Sequence, residues 1–246
     1  MTSEPPRRAG LRHSAWTHDP GMSEAVKALF AQIAPKYDLL NRVLSARNDV
    51  RWRRKALAMV RGAPGDVLDL ACGTFDLGLE ALAQGKAQRV HGSDFCQPML
   101  VAGTAKRAGH PLSASVGDAL HLPFADGAFD LAMVAYGWRN FGDPRQAADE
   151  LKRVLRPGGQ LLILEFFRPT SWWPRLFYGS FGKVVFPIVG GTLAGNASAY
   201  RYLNDSIARF LSRDEADHLL LDAGFRATRW MSFFGGVSHA VLAHRD

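Results

Sequence analysis

The stretch VLDLACGTFD, residues 67–76, followed by LGLEALA, residues 77–83, decides the fold of this chain. Its first residues are a short apolar run typical of a buried strand, and the later apolar residues recur at helical spacing. Between them, Gly73 indicates a tight turn, and a ligand can approach its backbone closely because glycine has no Cβ. The stretch therefore predicts a strand, a ligand-binding turn and a helix.

The acidic residues around this turn indicate the kind of ligand. A dinucleotide site has three glycines in the pattern G-x-G-x-x-G, so that amides face a pyrophosphate, whereas this turn has one. Asp69 and Asp76 would repel a pyrophosphate but suit an ammonium or sulfonium group. Asp94 ends a second predicted strand about 20 residues later, where a carboxylate accepts hydrogen bonds from ribose hydroxyls. S-adenosylmethionine has these groups; the alternative is a turn that only joins strand to helix.

These residues resemble motifs I and II of the class I S-adenosylmethionine-dependent methyltransferases. The resemblance implies an α/β fold of the Rossmann-like class I methyltransferase type. Such a fold has a mostly parallel seven-stranded sheet, helices on both faces and, here, an N-terminal helical cap. The resemblance also implies that S-adenosylmethionine is the cofactor and that its binding residues are Asp69, Gly73, Thr74, Asp94, Asp118, Ala119 and Tyr136.

Further motifs narrow the resemblance. The segments APKYDLLNRVLS (34–45), WRR (52–54), YGWRN (136–140), LEFFRP (164–169) and YRYLNDSI (200–207) are similar to the ubiquinone/menaquinone biosynthesis C-methyltransferase family. The family resemblance implies a prenylated quinol substrate: demethylmenaquinol, or the ubiquinone precursor 2-polyprenyl-6-methoxy-benzoquinol. It further implies that Arg139, Asn140 and Tyr37 act on the ring, and that Arg201 and the tyrosines beside it, Tyr200 and Tyr202, line the ring pocket.

Methyl transfer to carbon requires an electron-rich ring, which a quinol becomes when one hydroxyl loses its proton. Holding both reactants in line can lower the barrier by about 7–11 kcal/mol. Arg139 and Asn140 would stabilise the developing phenolate. Because no histidine lies beside the motifs, a water molecule, or Tyr37 with Asp38, would assist deprotonation.

Composition and charge limit the other functions. At 246 residues the chain fits one α/β domain with an appendage. Residues 1–61 contain 12 Lys/Arg and 5 Asp/Glu, so the whole net charge of +7 lies there. This basic region would contact an anionic membrane surface or a nucleic acid, or it is a solvated helix face. Because no basic-aromatic RNA platform accompanies it, nucleic-acid binding is the less favoured hypothesis.

Cysteine usage and the N-terminus predict the compartment. Cys72 and Cys96 lack C-x-x-C spacing, so we expect neither a disulfide nor a metal site. Residues 1–21 lack the apolar core of a signal peptide, and residues 184–200 contain Pro187 and three glycines, so we expect no spanning helix. The prediction is a cytoplasmic protein, with peripheral contact at the inner membrane face left open.

We divide the chain into a disordered tail (1–21), a helical cap (22–61) and a methyltransferase domain (62–246) with an apolar insertion at about 170–210. In the domain, LRPGG (155–159) predicts a tight stop before a strand that begins at Leu161. The aromatic stretch from Ser171 to Gly195 is either core or a channel for a polyprenyl tail that reaches the bilayer.

Three questions stay open from the sequence. Phe75 replaces the Gly or Ala usual in the family, so its ring either crowds the methionine end of the cofactor or turns into the neighbouring helix. The substrate is a quinol or, alternatively, another lipid or natural product. The chain is a monomer or a homodimer.

Overall fold

The computed structural model describes residues 20–189 and 197–246, and side chains within 24–180 and 201–246. The predicted disordered tail lies outside the described residues, except that Pro20 and Gly21 open the first helix. The middle of the predicted apolar insertion also lies outside them.

The strands of the described residues are β1 (Asp66–Leu70), β2 (Arg89–Asp94), β3 (Leu112–Val116), β4 (Phe129–Ala135), β5 (Leu155–Glu165), β6 (Phe225–Phe233) and β7 (Ser238–Arg245). The helices are α1 (Pro20–Ile33), α2 (Tyr37–Leu44), α3 (Asn48–Leu57), α4 (Asp76–Ala83), α5 (Gln97–Ala102), α6 (Thr104–Arg107), α7 (Pro144–Val154), α8 (Trp172–Val189), α9 (Ala197–Arg209) and α10 (Arg213–Asp222). Short 3-10 turns cover Ala34–Lys36, Trp138–Asn140 and Phe234–Gly236.

The strands form one seven-stranded sheet in the order β3-β2-β1-β4-β5-β7-β6. All neighbours are parallel except β7, which runs antiparallel to both β5 and β6. The predicted mostly parallel seven-stranded sheet is thus confirmed. From β1 the chain adds β2 and β3 on one side of β1, and it then crosses to β4 on the other side of β1. In α/β sheets, ligands bind at the carboxyl ends of the strands where the order reverses in this way.

Helices cover both faces of the sheet. In β4, Leu131 and Met133 belong to one buried cluster, together with residues of α3 and α4. Ala132 and Val134 belong to the other cluster, together with residues of α7 and α10. Because successive side chains of a strand point to opposite faces, a strand covered on both sides must be apolar throughout. This requirement explains the continuous apolar sequence of β4.

The structure differs from the prediction at the start of β5. The strand begins at Leu155, which pairs with Phe129, and the register then shifts before Leu131. Gly158 has φ +76°, a left-handed conformation that glycine adopts without steric cost. The LRPGG segment is therefore an irregular part of the strand itself, because a bulge accommodates the extra residues without ending the pairing.

The N-terminal helices differ in what they pack against. Ala56 and Leu57 of α3 are fully buried in the cluster that covers one face of the sheet. Ala34, in the turn after α1, instead packs with Cys96 and Met99 beside the carboxyl ends of the strands. The region predicted as a cap thus contributes one helix to the core and others to the edge where ligands are expected.

Helices α8 and α9 form the described part of the predicted insertion and contact each other. Within residues 20–189 and 197–246, no helix is both long and apolar enough to cross a membrane. Both cysteines are free and buried.

Candidate functional site

The turn after β1 has a strained backbone with one large aromatic side chain. Phe75 has φ +70° and is completely buried. A Cβ added to Gly92 would lie 3.0 Å from its ring, and one added to Gly103 only 2.6 Å away. The two glycines therefore leave the space that the Phe75 ring fills. The Phe75 ring therefore turns away from the turn, toward β2 and the end of the neighbouring helix α5, and does not crowd the turn.

Asp69, the acid of β1, is 1% exposed. Its carboxylate accepts a hydrogen bond of 2.9 Å from the N–H of Gly78 in α4. Burial, which disfavours the charged form, raises the pKa of Asp69 to about 7. In the structure Asp69 joins β1 to the first turns of α4, and its contact with a cofactor stays a prediction.

Asp94, the acid at the end of β2, lies directly against the turn. Its two carboxylate oxygens accept hydrogen bonds of 2.8 Å from the N–H groups of Gly73 and Cys96. Burial raises the pKa of this carboxyl as well. Because each oxygen has more than one acceptor site, both can still accept from ribose hydroxyls.

Asp118 and Ala119 follow β3, the next strand of the sheet. Gly117 donates its N–H to the carbonyl of Asp94 at 3.1 Å, which brings the ends of β2 and β3 together. The Asp118 carboxylate is exposed and accepts from the N–H of Leu120 at 2.9 Å, whereas Ala119 is buried. The predicted adenine residues thus lie at the same edge as Asp94.

Thr74 connects the turn to the N-terminal helices. Its hydroxyl donates to Asp38 of α2 at 2.6 Å and accepts from Lys106 at 3.1 Å. Lys106 also forms an ion pair of 2.7 Å with Asp38. The carboxylate of Asp38 is therefore engaged by Thr74 of the turn and by Lys106, and not by the hydroxyl of Tyr37.

Asp76, the first residue of α4, lies among cations. It forms ion pairs with Lys106, with Arg53 at 2.9 Å and with Arg42 at 3.4 Å. Burial acts to raise the pKa of Asp76, but Arg53 and Lys106 outweigh it and hold the pKa below its usual value. Protein cations thus take the place of the cationic ligand that the sequence suggested for Asp76.

An aromatic cavity of about 190 Å³ lies beside this turn. Its walls come from α1, α2 and α3 on one side and from the ends of β4 and β5 with α8 and α9 on the other. The aromatic residues that line it are Phe30, Tyr37, Trp52, Tyr136, Phe166, Phe177, Tyr178 and Tyr202. Such walls suit a flat, apolar ring.

Two predicted residues, Tyr37 and Tyr136, lie between this ring cavity and the turn. A Cβ on Gly73 would lie 3.9 Å from the ring of Tyr37. Burial raises the pKa of the Tyr37 hydroxyl, while a hydrogen bond with Asn41 and the nearby charge of Arg139 act in the opposite direction. Tyr136, with φ +58°, stacks on Phe166 with ring centroids 4.6 Å apart.

Arg139 supplies a buried cation to the ring cavity. Its side chain is 6% exposed and forms an ion pair of 2.7 Å with Glu165, which is completely buried. It also donates to the carbonyl of Tyr136 at 2.7 Å and, through Nε, to Ser206 at 3.3 Å. Among the described residues no acceptor lies within hydrogen-bond distance of Nη2. One end of the guanidinium is therefore held by the protein while the other end is available to a ligand.

The remaining predicted residues have different positions. The carboxamide oxygen of Asn140 accepts a hydrogen bond of 2.8 Å from the hydroxyl of Tyr202, and Tyr202 lines the ring cavity. Arg201 is exposed and does not line that cavity. The side chain of Tyr200 lies outside the described ones. Among the described side chains of the YRYL motif, Tyr202 and Leu203 thus line the cavity.

Sequence reasoning missed several residues of the site. Glu165 was visible as the charge that ends the apolar run of residues 161–164, a pattern that indicates a buried charge with a partner. Asp49 was hidden among the other charges of α3, and within the WRR motif (52–54) only burial separates Arg53 from the exposed Arg54.

Comparison with known proteins identifies the family. The model of the ubiE/COQ5 methyltransferase family matches residues 20–245. A protein of Thermus thermophilus named demethylmenaquinone methyltransferase is 42% identical over 84% of this chain and 96% of its own length. One of Geobacter sulfurreducens named ubiquinone/menaquinone biosynthesis C-methyltransferase UbiE is 39% identical over 83% of this chain and 82% of its own.

Solved structures show the same fold at low identity. A Thermotoga maritima protein described as an S-adenosylmethionine-dependent methyltransferase, possible histamine N-methyltransferase, superposes with a TM-score of 0.66 at 18% identity over 89% of this chain and 99% of its own. A phosphoethanolamine N-methyltransferase of Haemonchus contortus, in complex with S-adenosyl-L-methionine, gives a TM-score of 0.58 at 13% identity over 78% of this chain and 52% of its own. These likenesses confirm the predicted Rossmann-like fold. With the family model spanning nearly the whole described chain, the resemblance is confirmed, and the chain belongs to the ubiE/COQ5 methyltransferase family.

Proposed function

We propose that the protein transfers a methyl group from S-adenosylmethionine to a ring carbon of a prenylated quinol, with demethylmenaquinol as the acceptor. The observation that carries the proposal is the ring cavity, which the buried Arg139 lines and whose Tyr37 ring lies beside Gly73 of the turn. The names of the relatives support the same reaction.

The residues at the strand ends fit the proposed cofactor. Gly73 has no Cβ that would keep a ligand from the backbone of the turn, and Asp94 beside it retains acceptor capacity for two ribose hydroxyls. Asp118 and Ala119 lie where the adenine would follow, and Thr74 and Tyr136 border the other end of the turn. When bound, the cofactor supplies a methyl group on a positively charged sulfur: a carbon nucleophile takes the methyl group, and the sulfur leaves as a neutral thioether.

The chain's own contribution to the chemistry is positioning and charge. The ring carbon becomes nucleophilic as its hydroxyl loses a proton, and Arg139 Nη2 is placed to stabilise the phenolate. A fixed cation in a site that excludes water favours this charge more strongly than water does. Asn140 acts on the ring cavity through the hydroxyl of Tyr202. Tyr37 borders both reactants and aligns them.

The structure also supports peripheral contact with a membrane. Trp172, Trp173, Leu176 and Phe234 are 74%, 38%, 53% and 53% exposed. The ring of Phe234 lies 6.1 Å from that of Trp173 and 5.5 Å from that of Phe177, which lines the ring cavity. This apolar patch would let a prenyl tail stay in lipid while the ring enters the cavity. The oligomeric state stays open.

The experiment that tests the proposed function is an incubation of the purified protein with methyl-labelled S-adenosylmethionine and each of two reduced acceptors. These are demethylmenaquinol with a short prenyl tail and 2-polyprenyl-6-methoxy-benzoquinol. We expect a labelled methyl group bonded to a ring carbon of the first. Absence of label in both would reject quinol methylation, and a second incubation with a total lipid extract would show whether another acceptor takes the methyl group.

Membrane contact is tested separately by sedimentation with anionic phospholipid vesicles. Because burying one indole in lipid contributes a few kcal/mol at most, Trp172→Ser should weaken vesicle binding roughly tenfold. Leu221→Ser, an exposed leucine of α10, is the matched control and should leave binding unchanged. Equal binding of both variants would contradict the patch as the contact surface.

A further inference from the structure

Arg53 of α3 is a buried arginine whose hydrogen bonds are only partly made. It is 7% exposed, and its Nη2 donates to Asp49 at 2.7 Å and to Asp76 at 2.9 Å. Nε and Nη1 have no acceptor within hydrogen-bond distance among the residues that the structure describes. A guanidinium has five N–H donors, so three of them are left for another acceptor. Because Arg53 lines the ring cavity, these donors are available to an anionic group of a ligand there.

The position of Arg53 limits which anion this can be. Its side chain borders the ring cavity together with Tyr37 and Tyr136. Its partner Asp76 is the first residue after the 71–75 turn. Arg53 thus lies above the turn, on the side of the N-terminal helices, between the end of β1 and the end of β4.

The proposed orientation of the cofactor places an anion there. Asp94, the predicted ribose residue, contacts Gly73 on the β2 side of the turn. The methionine part must then run along the turn toward α4, where Asp76 and Arg53 lie. The phenolate of the quinol has its own cation in Arg139, which leaves the amino-acid carboxylate as the anion without a partner.

We infer that Arg53 binds the carboxylate at the amino-acid end of S-adenosylmethionine. This inference rests on the cofactor assigned under the proposed function. Asp49 and Asp76 hold the guanidinium through Nη2, so that its Nε and Nη1 donors are fixed before the ligand arrives. A charge-assisted hydrogen bond from one of these donors to a carboxylate is about twice as strong as a neutral one.

The inference gives α3 a role in the cofactor site. Most residues predicted for that site lie on the sheet edge, whereas Arg53 comes from the N-terminal helices. Binding of the carboxylate would therefore connect these helices to the turn through the ligand, in addition to the contact between Asp38 and Thr74.

The test compares the binding of two ligands by titration calorimetry without any quinol. One is S-adenosylmethionine and the other is its decarboxylated analogue, which lacks only the carboxylate. Because a hydrogen bond to a charged group is worth about 1.5–3 kcal/mol, the wild-type protein should bind the analogue roughly 10- to 100-fold more weakly. Arg53→Met should bind S-adenosylmethionine with a similar loss, and it should no longer distinguish the two ligands.

Arg54→Met is the matched control, since Arg54 is the next residue of α3 but is exposed and pairs with Glu80. It should distinguish the ligands as the wild type does. Arg53→Lys keeps the charge between Asp49 and Asp76 and so preserves the fold if Arg53→Met unfolds, as thermal denaturation would show. It should reduce the discrimination to a few-fold, because an ammonium is a point charge and does not reproduce the fixed positions of the Nε and Nη1 donors.

Three outcomes would overturn the inference. Equal binding of both ligands by the wild type would mean that the carboxylate makes no important contact. Undiminished discrimination by Arg53→Met, or by Arg53→Lys if Arg53→Met unfolds, would assign the carboxylate to other groups, such as the backbone of the turn. An Arg53 variant with normal cofactor affinity but a raised KM for quinol would assign Arg53 to the ring. If the wild type binds neither ligand, the proposed cofactor itself is refuted, a result that is distinct from the other three.

Discussion

Arg139 has two proposed roles: it neutralises the buried Glu165, and it stabilises the phenolate of the substrate. Variants of the pair Arg139 and Glu165 can separate these roles. In Arg139→Met, the Glu165 carboxylate keeps two backbone donors, at 3.2 Å and 2.7 Å, but loses its only ion-pair partner among the described residues. Since the carboxylate is completely buried, removing the cation should lower the free energy of unfolding by about 3–5 kcal/mol. A loss of this size is a large share of the stability of a typical domain.

Adding Glu165→Gln to Arg139→Met removes the uncompensated charge, and the amide oxygen can still accept from one of the two backbone N–H groups, which bind different oxygens of Glu165. The double variant should therefore recover about 1–2 kcal/mol of the loss. Methyl transfer should not recover, because the cation that stabilises the phenolate is still missing, and removing such a group lowers kcat about 10²- to 10³-fold.

Both quantities are measurable on the same proteins, by urea denaturation followed by circular dichroism and by the methyl-transfer assay. Arg145→Met is the control, since Arg145 pairs with Asp149 in an exposed i,i+4 contact worth less than about 1 kcal/mol. A loss of stability below about 1 kcal/mol in Arg139→Met would refute the reasoning about buried charge. Recovery of activity in the double variant would refute the role of Arg139 toward the phenolate.

Three further predictions follow from the geometry of the turn. Phe75→Ala should lower the free energy of unfolding by about 3–5 kcal/mol, because it empties a completely buried ring site, and a change under 1 kcal/mol in urea denaturation would contradict that packing. The pKa of Asp69 is about 7 in the folded protein and 3.8 in the unfolded chain, so between these pH values the folded protein binds a proton that the unfolded chain has lost. The free energy of unfolding should therefore fall as pH rises from about 4 to about 7. The total fall is up to about 4 kcal/mol, and Asp69→Asn should flatten this profile in denaturation at several pH values; an unchanged slope would exclude Asp69 as its source. Asp38→Ala removes the acceptor of Thr74 and a partner of Lys106, so calorimetry should show cofactor binding weakened about fivefold, whereas an unchanged affinity would show that this contact does not order the turn.

Much of the site was predictable because its signals are local. Asp69, Gly73 and Asp94 lie at the ends of neighbouring strands, and any parallel sheet with β1 beside β2 brings such ends together. The YGWRN motif was predictable for the same reason, since it follows β4, the other neighbour of β1. Local patterns failed at LRPGG, where pairing with β4 continues through a bulge that the turn-forming residues do not reveal.

The partners of charged residues were not predictable. Glu165 lies 26 residues from Arg139, and Asp76 lies 23 residues from Arg53. Among 30 Lys/Arg and 23 Asp/Glu, a sequence gives no means of choosing such pairs. The direction of the Phe75 ring was unpredictable for the same reason. It depends on the absence of side chains at Gly92 and Gly103, which belong to other parts of the chain.

The amino-acid sequence alone determined the order of strands and helices, the turn predicted to receive the cofactor and the family of the chain, since periodicity and short motifs are properties of consecutive residues. Only the tertiary structure decided that Arg201 lies outside the ring cavity that Tyr202 lines, that Asp38 contacts the turn, and that Arg53 is buried with donors left for a ligand. The physical reason is that burial and pairing depend on segments far apart in the chain, which only the folded sheet and its covering helices bring together.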